Sequence, residues 1–114
     1  MNNIRLDTPV RVACETTEIV RGQEKGFLER VEPMVLCHSV ELDLGPVERI
    51  DAAGVAALIR LYCIASHAGR QFTVANPRAH VAEILRLVGL DRVLMAGKAA
   101  SERGTALGME LSAA

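Results

Sequence analysis

The sequence predicts an α/β domain in which short strands alternate with helices from residue 23 onward. Three stretches carry that prediction. Val40, Leu42 and Leu44 alternate with polar residues, the period of a half-buried strand. Ala52–Ala68 is a long, mostly apolar helical segment opened by Asp51 and closed by Gly69. Phe72 and Val74 then mark a strand, and Val81, Ile84, Leu85 and Val88 follow at i, i+3, i+4, i+7.

Taken in order, Ile4–Leu6 and Val10–Cys14 read as two short strands parted by the turn residues Asp7-Thr8-Pro9. Thr16–Gly22 fits neither period. Gln23–Val31 reads as a helix with Phe27, Leu28 and Val31 on one face, which Pro33 either ends or kinks. Ser39–Leu44 is the clearest strand, and Gly45-Pro46 breaks it. Val47–Ile50 leads to Asp51, whose carboxylate can accept from the free amides of the next helix's first turn. Gln71–Ala75 is a strand. Asn76-Pro77 predicts a capping residue followed by proline at the first helical position. Gly89-Leu90 predicts a Schellman-type stop, and Arg92–Leu94 a last short strand. Residues 95–114 are rich in alanine, glycine and serine and predict a loose helix or a frayed tail.

Composition narrows the function. A chain of 114 residues, half of them apolar, has room for one domain over 1–114 with one core. Cys14, Cys37 and Cys63 share no ligand spacing with each other or with His38, His67 and His80, so no metal is expected. Reduced thiols, no signal-type leader and no apolar run near the ~20 residues of a membrane span predict a cytoplasmic protein without membrane insertion. A net charge of −1 with scattered basic residues, and only Phe27, Tyr62 and Phe72 as aromatics, argue against nucleic acid. No nucleophile elbow, P-loop, zincin or dinucleotide motif is present, so neither an enzyme nor a cofactor is predicted. His38 and Ser39 are adjacent on a strand and point to opposite faces, which rules them out as a dyad.

What remains is a protein partner. On a helical wheel from Asp51, Val55, Leu58, Tyr62 and Ala65 form the expected core stripe. The opposite side carries Ala53, Ala56, Arg60, Cys63, Ile64 and His67, with Arg60 its one firm charge. Such a face suits either a second packed layer or a docking surface with Arg60 as polar anchor. Asp43, at a strand end, is expected to orient the following loop, and Gly54 to allow close packing or close approach of a partner.

The ordered series VELDL, GPVERIDAAGVAAL, a helix, AGRQFTVANP and RAHVAEILRLVGLDRVL resembles the STAS domain, the fold of bacterial anti-sigma factor antagonists. The match covers roughly residues 39–94. The resemblance implies a small mixed β-sheet with helices packed mainly on one side. It also implies partner switching, in which the antagonist binds a kinase-type anti-sigma factor and frees the sigma factor. The implied partner-binding residues are Ile50, Asp51, Ala52, Ala53, Gly54 and Val55, with Arg60 on the helix that follows. In the family the kinase phosphorylates the serine just after the motif aspartate. Here that position is Ala52 and the next is Ala53, so neither can carry the phosphate, about −1.5 to −2 charges, that breaks the complex. Some STAS proteins are non-phosphorylated scaffolds, in sensory assemblies or as small subunits of lipid-transport ABC systems. Such a protein would bind a membrane ATPase or its own copies.

Overall fold

The computed structural model describes residues 8–95. The expected strand Ile4–Leu6 and the tail beyond Met95 lie outside the described residues. The elements run β1 (Val10–Ala13), β2 (Glu18–Ile19), α1 (Glu24–Cys37), β3 (Val40–Asp43), β4 (Arg49–Ile50), α2 (Ala52–His67), β5 (Phe72–Ala75) and α3 (Ala79–Leu87), ending in a π-helical turn at Asp91–Met95. β1, β3 and β5 form one parallel sheet in that order, with Val10 opposite Val40 and Val40 opposite Phe72. β2 and β4 form a second parallel pair, Ile19 opposite Ile50. Every pairing among the described residues is parallel, and each strand-to-parallel-strand crossover contains a helix, as such connections require. A mixed sheet needs an antiparallel member as well, which the described residues do not contain.

Alternation decides the layers. Val40, Leu42, Phe72 and Val74 point inward and are buried, whereas Glu41, Asp43, Thr73 and Ala75 on the other face are half-exposed. α1 and α2 pack against each other, and the buried core joins Phe27, Val31 and Val35 of α1 to Leu58, Leu61 and Ala65 of α2. Val81, Leu85 and Leu94 complete the same cluster from the C-terminal side.

Several local expectations are corrected. α1 runs through Pro33 to Cys37, so the proline does not end it. α3 starts at Ala79 rather than at Pro77, and Asn76 is not its cap. Asn76 instead takes φ 59°, a left-handed conformation that asparagine tolerates better than most residues, to turn the chain out of β5. Arg92–Leu94 is part of the π-helical turn, not a strand. Val88, placed on the α3 stripe by its spacing, is 53% exposed, because the helix ends at Leu87 and the glycine turn carries the chain away. That stop is the expected one: Gly89 has φ 82°, and the Leu90 amide donates to the Leu85 carbonyl at 2.8 Å. The same device closes α2, where Gly69 has φ 74° and the Arg70 amide reaches the Ala65 carbonyl at 2.7 Å.

Candidate functional site

The residues singled out in the sequence meet where β4 runs into α2. The loop from β3 is pinned first. The Asp43 carboxylate accepts from the Gly45 amide at 2.8 Å and from Asn76 Nδ2 at 3.4 Å, and Arg11 lies 3.5 Å from its other oxygen. Arg78 Nε closes the clasp by donating to the Gly45 carbonyl at 2.9 Å. Asp43 is thus a loop-orienting residue, tying together β1, β3 and the segment after β5. The chain then crosses to β2, where the Thr17 carbonyl accepts from the amides of Glu48 and Arg49, and Arg49 pairs with Glu18 at 3.2 Å.

Asp51 comes next, in an extended conformation. One carboxylate oxygen accepts from the Gly54 amide at 3.1 Å, the N-cap bond, and the other from the Arg21 amide at 3.0 Å. The same side chain therefore starts α2 and fastens the segment after β2 to it. Those backbone donors, Arg21 first and Gly54 second, hold the Asp51 carboxyl below its ordinary value. The Gly45 amide does the same for Asp43, with Asn76 and Arg11 adding to it. A depressed folded-state pKa stabilises the fold above the unfolded carboxylate value near 4 and ceases to do so as pH falls through the folded value. The urea midpoint is therefore expected to fall below about pH 4. Asp51→Asn should flatten that acid limb and lower the melting temperature at pH 7 by roughly 5 °C; an unchanged pH profile would contradict the assignment.

Gly54 sits where α2 passes closest to β2. A Cβ there would overlap the Ile19 carbonyl oxygen and lie 2.6 Å from Ile50 Cγ1. Gly54 is buried, and Ile50 is only 7% exposed. These two residues support the loop from beneath. Asp51 and Ala52 are exposed, and Ala53 and Val55 are half-buried.

This contact also sets the rotation of α2. The helix buries Gly54, Ala57, Leu58, Leu61 and Ala65. Leu58 and Ala65 are buried and Val55 is half-buried against the core, whereas Tyr62 is 37% exposed, so the expected core stripe departs from the fold at Tyr62. The backbone approach at Gly54 turns Ala57 and Leu61 inward beside Leu58 and Ala65, and leaves Tyr62 at the surface. The outer face then presents Ala52, Ala56, Ile59, Cys63 and Ser66, with no charge among them. Ile59, missing from the sequence reading of this face, is 41% exposed, and Leu36 of α1 is 54% exposed. Arg60 lies at the border toward α1, where its Nε donates to Glu32 at 2.8 Å. As an exposed ion pair it adds little stability, but it fixes the guanidinium beside the apolar strip.

Among the described residues no three His, Cys, Asp or Glu side chains cluster as a metal site, and no helix is long and apolar enough to cross a membrane. Cys37 and Cys63 are exposed thiols, and Cys14 is buried, which pushes its thiol pKa up. The result is a small α/β domain with a clasped loop, a capped helix and an uncharged outer strip on α2.

The chain belongs to the STAS domain family: the family described as "Mlab, STAS domain" matches residues 16–107. Among similar solved structures is that of a candidate anti-sigma factor antagonist from Thermotoga maritima. It superposes with a TM-score of 0.65 at 19% identity, covering 83% of this chain and 88% of that one, and shows a shared fold. A comparison with curated protein sequences finds no match.

Proposed function

We propose that this domain is an anti-sigma factor antagonist-like binder of a kinase-type anti-sigma factor, docking through Asp51–Val55 and the outer face of α2, and that it does no chemistry of its own. The observation that supports the reading most is the uncharged strip Ala52, Ala56, Ile59 and Cys63, continuous with the Asp51 loop of the family motif. Small side chains let a partner helix approach closely, and Arg60, held by Glu32, provides a polar rim.

Ala52 favours a second reading in which the domain is a scaffold or small subunit of a lipid-transport ABC system or sensory assembly. Affinity capture from the source organism with mass spectrometry separates the two. Enrichment of a kinase-fold regulator supports the antagonist, whereas transporter subunits or copies of this chain alone support the scaffold. Incubation with that kinase and ATP is expected to leave residues 51–55 unlabelled. Ser39 is fully buried and its Oγ accepts from the Gln71 amide at 2.9 Å, so of the two serines in the described region only the exposed Ser66 is open to labelling. Phosphopeptide mapping reads this directly, and a labelled Ser39 would contradict the burial.

A further inference from the structure

The two ends of the α1–α2 layer differ in charge. Both helices cross over between parallel strands, and Glu32 and Arg60, at matching positions of α1 and α2, pair at 2.8 Å. The helices therefore run side by side with their N-termini at one end, where the aligned peptide dipoles leave partial positive charge. The carboxylates at this end are Asp51 and Glu24, and backbone amides take up both. Asp51 accepts from Gly54 and Arg21, and Glu24 from the Gly22 amide at 2.7 Å. The cations at this end are Arg21 and Lys25. Both are exposed, and neither side chain has an ion-pair or hydrogen-bond partner among the described residues. Arg49 and Arg60, the cations further along the site, are already engaged by Glu18 and Glu32.

We propose, resting on the docking surface described above, that Arg21 together with Lys25 is its electrostatic anchor, and that the partner is acidic where it meets the N-terminal ends of α1 and α2. Arg60 does not fill this role, because its guanidinium is committed to Glu32 and would have to leave that carboxylate to serve another. Arg21 has no such commitment. Its backbone is nevertheless fixed, since its amide donates to Asp51, the residue before Ala52, at 3.0 Å. Pressed against an apolar surface, an unpaired guanidinium loses water with nothing in exchange. Against a carboxylate it gains a charge-assisted, bidentate contact. The rest of the footprint is the uncharged strip of Ala52, Ala56, Ile59 and Cys63. The complementary surface is therefore an apolar ridge ended by carboxylates. Charges at the rim of an interface act mainly on the rate of encounter and on the choice of partner. Ala52 bears on this as well: without a hydroxyl, no phosphate can be added beside Arg21 to cancel it, and the anchor stays available.

Stopped-flow association of the full chain with the kinase-fold regulator, purified after capture, tests this. Arg21→Glu should slow association at least about fivefold at low ionic strength, and the margin should shrink as salt rises. Adding Lys25→Glu should slow it further. Arg21→Lys keeps the charge and should associate within about twofold of wild type. Any residue but proline supplies the amide that Asp51 needs, so the melting temperature should stay within a few degrees in each variant. Arg92→Glu is the control for net charge, because it reverses an exposed cation on the π-helical turn, outside the docking surface. Arg21→Glu and Arg92→Glu proteins that associate at the same rate would overturn the anchor. If Ala56→Arg still abolishes binding in that case, the docking surface itself stands. Binding that survives Ala56→Arg would overturn the surface, and the anchor with it.

Discussion

Gly54→Ala is expected to destabilise the domain by roughly 3 kcal/mol, lowering the melting temperature by more than about 10 °C. Two effects of opposite sign compete. Alanine is the better helix former, by about 1 kcal/mol in a helix interior. Against this, the new methyl would overlap the Ile19 carbonyl oxygen, a backbone atom of β2 that cannot rotate aside, and would crowd Ile50 Cγ1 at 2.6 Å. Relief requires α2 to move off the β2–β4 pair, which would strain the Asp51 bonds to Gly54 and Arg21. The steric term is therefore the larger. Gly26→Ala is the matched control: on α1 a Cβ would meet only Arg30 Nη1, at 3.8 Å. That change should raise stability by up to about 1 kcal/mol. Thermal or urea unfolding of the pair reads the sign of each effect. A Gly54→Ala protein as stable as wild type would mean that α2 does not lie this close to β2.

Much of this fold is legible in the sequence because it rests on local rules. Alternation at Val40–Leu44 and at Phe72–Val74 fixes both strands and their buried faces. Gly69 and Gly89 close their helices with left-handed turns, as glycine after an apolar helix predicts. Asp51 caps α2, as its position before an apolar helix predicts. The misses come where tertiary contacts override local preference. The proline at 33 is accommodated within α1, whose apolar face at Phe27, Val31 and Val35 is buried across the proline. Asn76 has cap chemistry but bonds to Asp43, a partner 33 residues away that no local pattern reveals. Glu18–Ile19 becomes a strand only because Arg49–Ile50 pairs with it; two residues carry no period of their own. The rotation of α2 follows from the close approach of Gly54 to the Ile19 backbone, which no local apolar spacing reveals. The residues singled out in the sequence meet at the β4–α2 junction, while the composition of the exposed strip beside them needed the fold.

Ala56→Arg is expected to abolish capture of the partner, weakening binding at least about 100-fold, while the melting temperature stays within a few degrees of wild type. Ala56 is exposed at the centre of the uncharged strip, so a long side chain there enters water in the free domain. In the complex the same guanidinium would have to be desolvated against small apolar groups or would hold the partner's surface away from Ala52, Ile59 and Cys63. Ala53 is a less clean probe, because it is half-buried and arginine there would also disturb packing. Leu87→Arg supplies the control. Leu87 is 69% exposed at the end of α3, so its replacement adds the same charge to another apolar surface position. Titration of each variant against the captured partner by calorimetry distinguishes the outcomes. Loss with Ala56→Arg alone places the partner on the outer face of α2. Equal loss with both would reflect net charge rather than a surface, and retained binding by Ala56→Arg would move the partner off this helix.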